Sequence, residues 1–271
     1  MLTAEPELPI TPDDLARRRE LKLIALQGIP EVELGSDLPR LLTAAVEHNG
    51  LRLESDDVVV IAQKIVSKSE GRSVRLATVK PSPRALELAR IADKDPRLVE
   101  LMLSESREVL RAKTGVLILE HRLGFVMANA GIDQSNVPGS DGEEIALLLP
   151  SDPDESARRI RAGLRSACGC DVGVVINDSF GRAWRNGVTG VAIGVAGIPA
   201  LVDLRGSTDR EGRMLRVTQV AAADELAAAA SLVMGQADEG TPAVLARGFP
   251  YGRRESAARE LVRPHAEDLF R

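Results

Sequence analysis

Apolar residues along the chain fall into short runs with two kinds of spacing. The run Val58–Ala62 in "DDVVVIAQ" is continuous, as expected of a strand covered on both faces. The same reading predicts strands in "LKLIALQ" (21–27), "VGVVIND" and "PAVLARGF", the last of which closes the sheet. "GVLILEHRLGFVMANAGID" predicts two strands joined near "HRLG". Helical spacing predicts "DLPRLLTAAVEHNG", with Asp37 as its cap and Gly50 as its stop, and two helices over 82–92 and 97–111. "DPDESARRIRAGLRSA" predicts another helix, opening near Asp152 or Asp154, and "LRVTQVAAADELAAAASLVMG" a strand followed by an Ala-rich helix. "QKIVSKSEGR" reads as a polar turn after its strand, and "RGSTDREGR" as a charged turn after a Gly-rich apolar segment over 188–202.

Strands and helices mix without strict alternation, so the fold class is α/β, or α+β, with mixed β-sheets. No repeat of fixed period and no low-complexity linker interrupts the pattern. Residues 1–20 read as a flexible arm, 21–250 as the folded domain and 251–271 as a C-terminal tail.

Composition narrows the function classes. Aromatic residues make up 2% of the 271, so Val, Ile, Leu and Ala must build the core. A net charge of −5 argues against wrapping nucleic acid by bulk charge, but permits a local basic pocket for an anionic small molecule. The acidic N-terminus lacks the pattern of a signal peptide, and "VTGVAIGVAGIPALV" is too short and too broken for a membrane span. The expectation is a soluble, cytoplasmic protein. Cys168 and Cys170, one residue apart, fit reduced structural thiols better than a redox or zinc motif.

Three apolar segments end abruptly in polar residues: "VVVIAQKIVSKSEGR", "FVMANAGIDQSNV" and "VVINDSFGRAWRNG". Strand ends are where open sheets place ligands. Singly, Asp133 and Asp178 fit Asx-turns. Jointly, with Ser179, they supply the hard oxygen donors that Mg²⁺ or Mn²⁺ prefers. Lys68, Arg182 and Arg185 would then face an anionic substrate, and solvated surface charge is their bland alternative. No P-loop or GxGxxG is present. An aspartyl-phosphate phosphatase is excluded, because Phe180 stands where its second Asp would be. His48, His121 and His265 are isolated and support neither a zinc site nor a serine triad.

Taken in order, "GIPE", "KIVSKSEGR", "NAGIDQSNV", "LLLPSDPDESARRIRAGL", "VVINDSFGRAWRNG", "GSTDREGRMLRVTQVAAADELAAAA" and "GTPAVLARGF" resemble the coenzyme F420-0:L-glutamate ligase family, the γ-glutamyl ligases of deazaflavin biosynthesis. The resemblance implies a two-part α/β fold that forms an intertwined homodimer. It implies GTP-dependent addition of L-glutamate to F420-0, and further γ-linked glutamates, through an acyl phosphate with release of GDP and phosphate. Mg²⁺ or Mn²⁺, with K⁺ as a further candidate, would assist. Such chemistry is physically apt: a carboxylate is inert toward an amine until phosphoryl transfer activates it.

Carried over by position, Asp133, Asp178 and Ser179 match metal-binding positions, and Gln219 matches a further one that is often Glu. Ile29, Pro30, Glu31 and Val32 match the segment lining the guanine nucleotide, and Gln63, Lys68 and Asn136 match nucleotide contacts. Gln63 stands where the family has a hydroxyl residue. Arg182 and Arg185 join Asp178 as the catalytic set on chemical grounds. Two readings compete with the ligase: a metal-dependent phosphotransferase or phosphatase acting on a small phosphorylated acid, and a GTP-binding protein without catalysis. Trp184 either packs to position the two arginines or stacks on a substrate ring, and packing is the expectation.

Overall fold

The computed structural model describes residues 20–134 and 143–268. Its centre is a five-stranded mixed sheet made from β1 (Lys22–Ala25), β2 (Val58–Ala62), β8 (Gly173–Arg182), β9 (Arg185–Ala196) and β12 (Ala243–Arg247). The spatial order is β1-β12-β2-β8-β9. Only the β2–β8 pair in that series is parallel; the other three are antiparallel. Although β12 comes late in the chain, it lies between two strands from the first quarter of the sequence.

The continuous apolar run of β2 is explained by its two neighbours in depth. Val59 and Ile61 enter one core with Val174, Ile176 and Leu245, while Val58 and Val60 enter another with Val175, Val244 and Ala246. Helices α1 (Leu38–His48) and α5 (Pro153–Cys168) cover the first face, and α6 (Ala222–Met234) covers the second. Asp37 caps α1 through Arg40 N–H, as expected, and Asp152 caps α5 through Glu155 N–H. On β9, Gly190 and Gly194 admit the helices from opposite faces. A Cβ would lie 2.3 Å from Ala227 O of α6 at the former and 2.4 Å from Pro153 O of α5 at the latter.

A smaller second part occupies residues 73–134 and 143–149. It comprises the ribbon of β3 (Ser73–Arg75) with β7 (Ile145–Leu147), helices α3 (Pro83–Ala92) and α4 (Pro96–Ser104), and the antiparallel sheet of β4 (Ser106–Lys113), β5 (Val116–His121) and β6 (Val126–Ala128). Glu105 joins the parts. Its carboxylate accepts from Arg72 at 2.8 Å and Arg122 at 3.0 Å, whose guanidiniums also bind Leu149 O and Ser151 O. Buried His121 turns Nε2 toward the same carboxylate, at 3.6 Å.

Two expectations are corrected. The helix predicted over 97–111 stops at Ser104, because "SREVLRAK" alternates and pairs with β5 as a strand. The polar turn predicted after β2 is instead helix α2 (Gln63–Ser69), which buries Ile65 and Val66. One mixed sheet, three antiparallel ones and the helices packed on them establish the α/β, α+β class. No helix among the described residues is long and apolar enough to cross a membrane.

Candidate active site

The run "INDSFGRAWRNG" is a β-hairpin rather than a loop at a strand end. Ladder pairing continues through Asp178↔Val191, Ser179↔Gly190 and Phe180↔Thr189 to Arg182↔Arg185. Asp178 and Ser179 are therefore held by strand geometry within β8. Alternation sends them to opposite faces: Phe180, two residues beyond Asp178, enters the α1/α5 core, while Ser179 reaches past the end of α6.

A cleft of about 480 Å³ opens where β2, β8 and β12 meet their connecting segments. Its walls include Ile29, Pro30, Glu31 and Val32 from the loop after β1, and Gln63, Lys64 and Lys68 from α2. Asn177, Asp178 and Ser179 enter from β8, and the glycine-bounded turn 235–242 closes the rim. Because α2 begins directly where β2 ends, Gln63 and Lys64 are delivered to the cleft without an intervening loop. Lys68 pairs with Glu31 at 2.5 Å, tying α2 to the loop after β1.

Lys64 organises the acidic side. Its Nζ lies 2.6 Å from Asp133 Oδ2 and attracts Asp178, whose charge is repelled by Asp133. Burial, reinforced by that repulsion, pushes the Asp178 carboxyl up to about 7, against Lys64 and a hydrogen bond from Ser179 N–H. Ser179 Oγ donates to Gln236 Oε1 at 2.8 Å. Asn177 is 3% exposed; its Nδ2 reaches Ser231 Oγ at 3.1 Å, and its Oδ1 has no protein partner. Across the rim, Glu239 accepts from Ala237 N–H and Thr241 donates to Met234 O.

The cleft thus brings together eight expected residues: Ile29, Pro30, Glu31, Val32, Gln63, Lys68, Asp178 and Ser179. Asp133 joins them through Lys64. Three do not meet them. Gln219 lies in the two-stranded ribbon of β10 (Val202–Asp203) and β11 (Gln219–Val220), with its side chain on Asp203. Arg182 and Arg185 are exposed at the hairpin end, where Arg182 donates to Asn186 O. Trp184, expected to pack, is 83% exposed at the tip with a φ of 58°. Asn136 lies outside the described residues.

Sequence reading missed Lys64, Asn177 and Gln236. Lys64 was legible as the neighbour of Gln63. Gln236 was discoverable from "MGQADEGTP", a glycine-bounded turn between a helix and a sheet strand. Among the described residues, no group of three or more His, Cys, Asp and Glu could by itself hold a metal ion. The donors present are two carboxylates, a hydroxyl and an amide oxygen, all hard oxygens, and this set fits Mg²⁺ or Mn²⁺ shared with a phosphate-bearing ligand.

Fold and cleft together define an α+β protein with a small-molecule site that sets carboxylates against lysines at one end of its central sheet. The chain is matched over residues 28–248 by the model of the family F420-0:Gamma-glutamyl ligase. It is 49% identical over 253 residues to the coenzyme F420:L-glutamate ligase of Methanothermobacter thermautotrophicus, covering 93% of this chain and 99% of that protein. It is 45% identical over 260 residues to the protein of the same name from Methanopyrus kandleri, again 93% and 99% of the two chains. The like-named protein of Halobacterium salinarum is 45% identical over 253 residues, or 91% of each chain. The chain belongs to the F420-0:gamma-glutamyl ligase family.

Proposed function

We propose that the protein joins L-glutamate to coenzyme F420-0 at the expense of GTP, and extends the product by further γ-linked glutamates. The observation that carries this reading is that Lys64, which pairs with Asp133 and faces Asp178, lines the same cleft as Asp178, Lys68 and the loop after β1. The nucleotide would lie along 29–32, Gln63 and Lys68. The acceptor carboxylate attacks the γ-phosphorus, the bond to the β-phosphate oxygen breaks, and GDP leaves. The glutamate α-amine then attacks the acyl carbon, phosphate departs, and the amine gives up a proton as the amide forms.

Lys64 and Lys68 offset charge on the transferring phosphoryl group. Asp133, Asp178, Ser179 and Gln236 would hold Mg²⁺ or Mn²⁺, with Gln236 in the place assigned to Gln219 by position. When bound, the cation neutralises phosphate oxygens and relieves the carboxylate repulsion. K⁺ is a further ion to test. We assign no catalytic contact to Arg182 and Arg185 within one chain.

The exposed apolar side chains Trp184, Val217 and Leu232 support a homodimer, which would bury them. On this reading the protein works in the cytoplasm. Incubation with F420-0, GTP, L-glutamate and Mn²⁺, followed by mass analysis, should show a ladder of glutamyl additions with stoichiometric GDP and phosphate. Phosphate release without a glutamyl mass gain would favour a phosphatase or phosphotransferase. GDP binding without turnover would favour a non-catalytic nucleotide-binding protein.

A further inference from the structure

A second cavity, of about 310 Å³, lies along the outer edge of β9, on the far side of β8's Asp178–Phe180 stretch from the nucleotide cleft. Phe125, Val126, Phe180, Val191, Leu261 and Val262 give it an apolar, partly aromatic wall, and Asp224 and Asp268 also line it. Phe125 and Phe180 meet edge to face at 5.9 Å between ring centroids, in a chain with only four phenylalanines. Arg263 stands on its rim, exposed. Backbone pairing does not fill the space, because β9 is the last strand of the sheet. Its Ala192 N–H is instead satisfied by Asp224 at 2.9 Å.

We propose that this cavity binds the fused aromatic ring of the acceptor; the proposal rests on the ligase reading above. Three features select that occupant. A deazaflavin is a flat fused aromatic ring whose apolar faces suit a slot edged by two phenyl rings and branched aliphatic side chains. Its side chain must carry a carboxylate to the γ-phosphate, and β8 supplies the connection. Phe180 lines the slot and Asp178 lines the nucleotide cleft, two residues and about 7 Å apart along one strand. The polar side chains of the first cleft account for a nucleotide, a cation and an amino acid, but offer no aromatic surface for a ring.

Two variants test the slot while leaving the nucleotide cleft intact: Val262→Trp, which fills it, and Val126→Glu, which sets a negative charge at a 43% exposed rim position. Circular dichroism and the thermal shift produced by GDP with Mn²⁺ check that each variant folds and keeps its nucleotide site. KM for F420-0 should rise about tenfold or more in both, with KM for GTP and L-glutamate within about twofold of wild type. Titration of the F420-0 chromophore's fluorescence should give a matching loss of affinity. The ring-plus-ribityl fragment, which lacks phosphate and carboxylate, should compete with F420-0 for the wild-type protein and lose that ability in the variants. Folded, nucleotide-binding variants with unchanged acceptor KM and affinity would overturn the slot while leaving the ligase reading intact. Absence of glutamyl addition by the wild-type protein would overturn the ligase reading and the slot with it.

Discussion

Lys64 Nζ and Asp133 Oδ2 stand 2.6 Å apart, and the lysine also faces Asp178 on β8. One ammonium therefore serves two carboxylates that repel each other. Lys64→Met should leave that repulsion uncompensated and lower the melting temperature of the metal-free protein by about 2–4 °C for each kcal/mol lost. Mn²⁺ should then stabilise the variant more than the wild type, because the cation replaces the missing charge. Melting curves with and without Mn²⁺ decide the matter; equal shifts would contradict it.

Asp178 carries a folded-state pKa of about 7 against an ordinary value of 3.8. Between those values the folded protein binds the extra proton, so its metal-free stability falls as pH rises from about 4 through 7. Asp178→Asn removes that penalty. It should stabilise the metal-free protein by about 1–3 kcal/mol at pH 8, after allowance for screening at the cleft, and by almost nothing at pH 4. Ligation by the same variant should be nearly lost. A destabilised variant at pH 8, or wild-type-like turnover, would contradict the assignment.

Glu105 behaves in the opposite sense. Burial raises its pKa, but His121, Arg72 and Arg122 overcome this and hold the carboxyl down at about 2, against 4.5 ordinarily. Its contribution is complete above about 4.5 and disappears as pH falls through about 2. Glu105→Gln leaves two guanidiniums with half their partner and should cost about 3–5 kcal/mol at pH 7. Urea melts at pH 7 and pH 2.5 should show the difference between the proteins shrinking at the lower pH.

Gln236 and Gln219 can be separated by a pair of substitutions. Gln236→Ala removes the acceptor of the Ser179 hydroxyl and should cut turnover about 10–100-fold, with a higher Mn²⁺ requirement. Gln219→Ala lies on the β10–β11 ribbon and should remain within about twofold of wild type in a metal titration. Reversal of that order would restore the positional assignment.

Trp184 occupies left-handed backbone that disfavours a large side chain. Trp184→Gly should therefore leave monomer stability unchanged or slightly higher, while weakening self-association. Sedimentation of both proteins over a range of concentrations measures this; unchanged self-association would remove Trp184 from the proposed interface.

Much of this architecture was legible in the residue pattern because burial imposes periodicity. Val58–Ala62 could be recognised as a strand covered twice, and Asp37 and Asp152 announced their helices. The mistakes arose where two patterns overlap. "QKIVSKSEG" looks polar enough for a turn, yet its adjacent Ile65 and Val66 are buried in the core from one side of a short helix. "SREVLRAK" continues a leucine-rich helix in composition while changing period from 3.6 to 2. In the cleft, residues contributed by contiguous motifs were found together. Gln236 was not foreseen, because its nearness to Ser179 depends on where α6 ends in space. Sequence order likewise could not place Arg182 and Arg185 on exposed backbone beyond the cleft.

The position of β12 has a consequence for how the protein comes into being. A strand made from residues 243–247 lies between one from 22–25 and one from 58–62, so an inner strand of the sheet is the last of it to leave the ribosome. Until then β1 has no neighbour, and β2 has an open edge where β12 will pair. The nascent chain must keep two apolar edges from pairing wrongly until residues 243–247 have been made. Closure then depends on contacts some two hundred residues apart in sequence, a topology that folds slowly and in one late step. The first cleft, which has walls on both sides of that strand, comes into existence only with the sheet's completion.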